Sequence, residues 1–187
     1  LDVFRGCPRG CRFCQAGQIY RPVREKSADV LAGQMEAILE ETGYDEVGML
    51  SLSTSDYSQL QNLMDRVLPG ASDRKVNVSL PSLRIDNFSL NLLEEISKTR
   101  KAGLTFAPEA GSQRLRDVIN KGIDEDEILR GMELAFRGGY RGAKLYFMLG
   151  LPTETDEDVL AISALCKKIM DVWAGLKAEG LKLKRPE

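Results

Sequence analysis

The sequence opens LDVFRGCPRGCRFC (Leu1–Cys14), and three of its four cysteines, Cys7, Cys11 and Cys14, fall inside that run at spacings of four and three. Leu1 to Gly6 reads as the end of a strand. Pro8, Gly10, Gly17 and Pro22 then disfavour a helix, so the thiols are expected on a loop able to wrap round a central group. Arg5, Arg9 and Arg12 share this stretch, and cationic neighbours favour the thiolate, the form that binds metal. The segment reads as a metal centre.

The donor set narrows the metal. A structural zinc site takes four ligands, usually Cys or His. This chain has no histidine, and its remaining thiol, Cys166, is distant in sequence. Thiolates are the usual ligands of iron–sulfur clusters, and a fully ligated cubane takes four of them. Three would leave one iron open to a substrate or cofactor, as an open position distinguishes catalytic from structural zinc. The plain alternatives are a disulfide with a spare thiol, or three unrelated reduced thiols. Four cysteines in 187 residues, with no targeting peptide recognisable, weigh against a disulfide scaffold.

On these residues rests a resemblance. GCPRGCRFC (Gly6–Cys14) is similar to the Cys-x3-Cys-x2-Cys signature of the radical S-adenosylmethionine (radical SAM) superfamily, including the aromatic Phe13 before the last cysteine. The resemblance implies that Cys7, Cys11 and Cys14 hold a [4Fe-4S] cluster whose fourth iron is chelated by the amino and carboxylate groups of S-adenosylmethionine. It further implies a one-electron reductant such as flavodoxin or ferredoxin, release of methionine and a 5'-deoxyadenosyl radical, and hydrogen abstraction from a substrate.

Length and composition suit one globular domain, with 43% hydrophobic and 29% charged residues in 187. A net charge of -2 gives no global attraction to nucleic acid or anionic lipid, although a local basic patch is compatible with it. No apolar run reaches the roughly 20 residues that span a bilayer. Free thiols and an oxygen-sensitive cluster suit a cytoplasmic, reducing location. The start at Leu1 reads as an excerpt of a longer protein.

Along the chain, strands and helices are expected to alternate. A helix begins at the N-cap Ser27, carries Leu31, Met35, Ile38 and Leu39 on one face, and closes at Gly43. A strand over Val47–Leu52 ends in Ser53, Thr54, Ser55 and Asp56. A second helix presents Leu60, Leu63, Met64, Val67 and Leu68 and stops at Pro69–Gly70. A strand over Lys75–Leu80 leads to Pro81, Ser82, Leu83 and Arg84, and a third helix runs from Ser89 through Leu92, Leu93 and Ile96. Gly103–Ala107 forms a fourth strand, with Pro108 and Glu109 at its end. A short helix over Leu115–Ile119 and a longer one from Asp124 precede a fifth strand, Ala143–Leu149, closed by Gly150, Leu151 and Pro152. The last helix starts near Thr155, with Val159, Ile162, Cys166, Ile169, Trp173 and Leu176 as its apolar stripe, so Cys166 is expected to be a buried, inert thiol. Residues 182–187 form a basic, frayed tail.

Strands separated by helices pair in parallel, because a parallel connection needs a crossover of that length. The fold class is therefore α/β, and the repeat suggests an open or closed (β/α) barrel. A doubly wound nucleotide-binding sheet is the rival, but no Gly-x-Gly-x-x-Gly follows the first strand. In barrels the active site gathers at the carboxyl ends of the strands, where the cysteines, Ser53–Asp56, Pro81–Arg84, Pro108–Glu109 and Gly150–Pro152 all fall.

The resemblance implies a partial (β/α)6 barrel over residues 1–187, with five strands visible and a sixth beyond Glu187. It implies that Ser53, Ser55 and Asp56 meet the cofactor's amino group, where other members have Gly-Gly-Glu. Ser82 and Arg84 resemble the polar contacts of the next strand end, and Glu109, in FAPEAGSQRLR, resembles the acid that reaches the ribose hydroxyls. Lys121 resembles the basic residue that pairs with the methionine carboxylate, with Arg116 as its competitor, and Gly150, in FMLGLPTET, lies in a run similar to the glycine motif whose backbone packs beside adenine. Within the superfamily, GCPRGCRFCQAG resembles an uncharacterised branch; STSDYS and GLPTET resemble, more loosely, methylthiotransferases that modify RNA or a ribosomal protein. Each residue also has a plain structural reading. Ser53 and Asp56 would cap a helix, Ser82 and Arg84 would form a solvated turn, and Lys121 would complement a helix C-terminus. Thr155 with Asp158 reads as a cap, and Lys144 and Tyr146 could face either side of their strand. The rival function is a non-catalytic iron–sulfur or zinc module for electron transfer or structure.

Overall fold

The computed structural model describes residues 1–80, 84–86 and 104–183. In chain order these form β1 (Phe4–Arg5), α1 (Ala16–Ile19), β2 (Arg24–Glu25), α2 (Ala28–Thr42), β3 (Glu46–Gly48), a 3-10 turn (Thr54–Asp56), α3 (Leu60–Asp73) and β4 (Asn77–Ser79). After the undescribed stretch come β5 (Leu104–Glu109), α4 (Gln113–Val118), α5 (Glu125–Arg137), β6 (Ala143–Phe147) and α6 (Asp156–Ala178).

Helix boundaries follow local chemistry. The Ser27 hydroxyl accepts from the Val30 amide at the start of α2, and Gly43, at φ +65°, ends it in the left-handed conformation. Asp124 with Glu127 and Thr155 with Asp158 form capping boxes that open α5 and α6. The helix expected to stop at Pro69 instead runs to Asp73, with the proline inside it. Proline removes one intrahelical bond, but the buried stripe Leu63, Met64, Val67 continues to Ala71, and its packing carries the helix past that loss.

β3 and β4 pair in parallel with Val47 beside Val78, and both valines pack onto Leu31 and Met35 of α2 and Leu63 and Met64 of α3. β5 and β6 also pair in parallel, with Phe106 beside Leu145, over a second core from Ile128, Met132 and Phe136 of α5 and Leu165 and Ile169 of α6. The first strand joins the parallel set through its opening residues: the Val3 amide donates to the Leu50 carbonyl at 3.0 Å, and the Leu50 amide to the Leu1 carbonyl at 2.7 Å. Past Val3 the chain turns and β1 pairs antiparallel with β2. β1 lies in the stretch read from sequence as the end of a strand, whereas the single turn of α1 occupies a stretch read as loop, and β2 one to which no element was given. Among the described residues the strands form three two-stranded ladders and one bridge, with no closed barrel. The architecture is α/β with parallel pairs. The helix expected from Ser89 lies outside the described residues, as do Ser82 and residues 184–187.

Ala143, Leu145 and Phe147 of β6 pack on the second core, which leaves Lys144 and Tyr146 on the opposite face of the strand, both exposed. The stripe of α6 differs from its reading. Leu165, Ile169 and Leu176 are buried with Val172 and Trp173 against them, whereas Cys166 is exposed. Neighbouring helical residues differ by about 100° in direction, so placing Leu165 at the centre of the buried face turns Cys166 to its edge. Among the described residues no helix is long and apolar enough to cross a membrane.

Candidate cluster and cofactor site

The cysteine loop is shaped by close backbone packing. Gly6 leaves β1 at φ +92°, and a Cβ there would lie 2.6 Å from the Tyr20 carbonyl oxygen; one on Gly17 would lie 2.6 Å from that of Arg9. Only glycine combines that backbone angle with that approach. The Cys14 amide then donates to the Cys11 carbonyl at 3.1 Å, folding the last two cysteines into one turn. Cys7 and Cys11 are half-buried, Cys14 is exposed, and all are free thiols.

The far side of this loop docks on the end of α4. The Arg12 amide donates to the Ile119 carbonyl at 2.8 Å, the Arg12 guanidinium to the Val118 carbonyl, and the Asn120 side chain to the Gly10 carbonyl at 2.8 Å. Carbonyls at a helix C-terminus lack intrahelical partners and attract cations. The loop supplies one, and so its Gly10–Arg12 side is tied to an element more than 100 residues away in sequence.

A chain of charged contacts crosses the strand ends from there. Lys121, just past α4, places its Nζ 3.0 Å from Glu109 Oε1 and 5.7 Å from the centroid of the Phe13 ring. Its backbone carbonyl accepts from Arg84, whose guanidinium holds Asp86 at 3.0 Å. The Arg84 amide donates to Ser55 Oγ at 2.9 Å. Arg9, between Cys7 and Cys11, donates Nε to Asp56 at 2.8 Å and has Nη2 3.4 Å from Asp86. Burial opposes ionisation of Asp56, yet hydrogen bonds from Arg9 and from Ser53, at 2.7 Å, outweigh it and hold the carboxyl below its ordinary range.

Thus Phe13, Ser53, Ser55, Asp56, Arg84, Glu109 and Lys121 belong to one connected network beside the cysteine loop. Ser53 and Asp56 do not cap α3, whose N-cap is Gln59. Gly150 lies in the turn after β6 at φ +79°, its amide donating to Glu154 at 2.6 Å; two residues earlier the Met148 amide donates to the Glu109 carbonyl at 2.7 Å. Arg116, the competitor of Lys121 in the sequence reading, is engaged elsewhere. It is fully buried and donates to the Ala110 and Gly111 carbonyls and to Gln113, bracing the turn after β5, and desolvation lowers its affinity for a proton. Two members of the network, Arg9 as an ion-pair node and Asp86, had no role in the sequence reading. A lone acid 72 residues beyond Cys14 gives no signal until the fold brings it back.

Among the described residues no three Cys, Asp or Glu side chains gather as a cradle for one metal ion. The three cysteines are not gathered either, but their donor type is that of a cluster: three free thiols on a glycine-shaped loop, without histidine, whose Phe13 ring lies beneath Lys121, a residue lining a pocket with Arg84, Asp86 and Ala107.

Fold and site together define an α/β chain that sets a three-thiol loop beside the ends of parallel strands. Residues 1–166 match the radical SAM superfamily model, and the chain belongs to that family. The family uses a [4Fe-4S] cluster and S-adenosylmethionine. An uncharacterized protein of Methanocaldococcus jannaschii is 39% identical over 169 residues, which is 90% of this chain and 36% of that protein. A tRNA-2-methylthio-N(6)-dimethylallyladenosine synthase of Thermotoga petrophila is 27% identical over 187 residues, 90% of this chain and 40% of that enzyme. The chain therefore spans well under half the length of these relatives. Among solved structures, the cobalamin-dependent S-adenosylmethionine radical enzyme OxsB, with aqua-cobalamin bound, superposes with a TM-score of 0.70 at 15% identity, over 88% of this chain and 26% of that one. That likeness is one of fold.

Proposed function

We propose that this chain is the cluster- and cofactor-binding core of a radical SAM enzyme, with Cys7, Cys11 and Cys14 holding the [4Fe-4S] cluster. In this reading the strands belong to a partial (β/α)6 barrel, supported by the two parallel ladders and by the parallel bridge from Asp2 to Leu50. The observation that carries the reading is the contact chain Phe13–Lys121–Glu109, which ties the cysteine motif to the end of β5.

The cluster, when bound and reduced, supplies the single electron that cleaves the sulfonium of S-adenosylmethionine. The chain's own residues bind and orient. Lys121 offers a cation to the methionine carboxylate and Glu109 an acceptor pair to the ribose hydroxyls. Ser53, Ser55, Asp56 and Arg84 serve the amino-group side, a role proposed for Ser82 from the sequence alone, and Gly150 presents backbone to adenine. In this reading the face of β6 opposite the second core, where Lys144 and Tyr146 are exposed, is the one turned toward substrate. A one-electron donor such as flavodoxin or ferredoxin and a reducing, cytoplasmic setting complete the reading. RNA is the substrate class to test first, because a tRNA-modifying enzyme is among the relatives.

Anaerobic reconstitution, then dithionite and a search for 5'-deoxyadenosine, tests the proposal. Cys7→Ala, Cys11→Ala and Cys14→Ala are each expected to lose the cluster's visible absorbance, and Cys166→Ala to keep it. Loss with Cys166→Ala would overturn the ligand assignment. A loaded chain that bound no S-adenosylmethionine would favour a non-catalytic iron–sulfur module.

A further inference from the structure

Arg9 is ion-paired to two acids, whereas Cys7 and Cys11 on either side of it are free thiols. Its guanidinium meets Asp56 through two nitrogens and Asp86 through one, and the side chains of the two acids retain only 5% and 7% of their exposure. Neither acid can turn away freely, since Ser53 donates to Asp56 and Arg84 to Asp86. The acids arrive from the chain that follows two neighbouring parallel strands, β3 and β4, and converge on one residue of the cysteine loop. On its backbone side Arg9 is gripped again, because its carbonyl approaches Gly17 so closely that a Cβ there would lie 2.6 Å away. A buried ion pair gains little stability over an apolar replacement, because desolvation offsets attraction. Its contribution at such a place is to fix one geometry.

We infer that Arg9 is a positioning residue whose capture by Asp56 and Asp86 sets the course of the cysteine loop before metal arrives. Cys7 and Cys11 then flank an anchored residue and present their thiols to a cluster in a preset arrangement. Asp56 serves the loop first, and its charge is directed at Arg9. This rests on the proposal that the three cysteines take the cluster.

The test uses the whole chain with Arg9→Gln, Asp56→Asn, Asp86→Asn and Arg9→Lys. Residues behind metal ligands typically change metal affinity roughly 10- to 100-fold when removed. The Gln and Asn variants are expected to need at least roughly 10-fold more iron and sulfide to reach the wild-type cluster absorbance at temperatures where the metal-free variant is still folded; their melting temperatures should fall, because one partner of a buried ion pair is gone. In the metal-free chain, hydrogen exchange at the Arg12 and Cys14 amides should speed up in the same variants. Arg9→Lys, which keeps the charge but not the planar fork, should recover part of both readouts. Wild-type loading and exchange in Arg9→Gln would overturn the inference and leave the cluster reading standing. So would losses that only track unfolding. A wild-type chain that takes up no cluster would overturn both.

Discussion

Glu109 shows how much of the site was hidden at the scale of one residue. Its type and its place at a strand end were legible, since FAPE (Phe106–Glu109) is a short apolar run ending in an acid. Its backbone was not. Glu109 sits at φ +68°, where the ladder between β5 and β6 slips register. Left-handed backbone costs a residue with a Cβ about 1–2 kcal/mol, a cost that persists only where surroundings enforce it. Here the enforcing contacts are the ion pair with Lys121 and the Met148 amide on its carbonyl. Glu109→Gly releases the backbone while deleting the carboxylate; Glu109→Ala deletes the carboxylate and keeps the strain. Both variants should weaken S-adenosylmethionine binding to the loaded chain while sparing iron content. In urea unfolding the glycine variant should be the more stable by about 1 kcal/mol. Equal stabilities would mean that the turn is unstrained, and unchanged cofactor titrations would remove Glu109 from the site.

At the scale of elements, the local signals that could be read were those that act locally. Ser27, Gly43, Asp124 and Thr155 close or open their helices through their own side chains or lack of one, and each was visible in sequence. Pro69 and Cys166 were misjudged because their outcome depends on partners. The proline is carried by the burial of Ala71, and the cysteine is turned outward by the seating of Leu165. Close approach between elements is equally invisible until they are packed. A Cβ on Gly111 would lie 2.2 Å from the Ile162 amide nitrogen and 2.5 Å from the Ala161 carbonyl carbon, both backbone of α6. Gly111→Ala must push that helix from the turn after β5 and should cost roughly 1–3 kcal/mol. Gly33, exposed on α2, is the control, with nothing within 4 Å of its Cβ position. Gly33→Ala should raise stability by about 0.5–1 kcal/mol through helix propensity alone. Opposite signs in denaturant melts are expected; a neutral Gly111→Ala would show that α6 is free to slide.

Over the whole molecule, alternating strands and helices could be read because each apolar stripe must find a cover, while the ties that cross between distant segments could not. Two such ties are carboxylates in charged networks. Asp56 joins Arg9 across 47 residues, and Asp158, buried at the start of α6, accepts from Arg114 and from Ser112 near the start of α4. Bonds from Arg114 and then Ser112 hold the Asp158 carboxyl well below the usual carboxylate range, in the same direction as Asp56. The sign of the pH response follows. A group whose pKa is lower in the folded chain is protonated first in the unfolded chain as pH falls, so acid favours unfolding. The stabilising contribution is complete well above the unfolded value near 3.9 and is lost as pH drops through the folded one. Urea midpoints should therefore hold steady from about pH 7 to about pH 5 and fall between about pH 5 and about pH 2. Asp158→Asn should start lower at neutral pH, having lost the ion pair with Arg114, and should then fall less steeply because one of the linked protons is gone. A variant profile parallel to wild type across the acid range would assign the acid response to other carboxylates, and with it deny that Asp158 is ionised in holding α6 to the turn that carries Glu109.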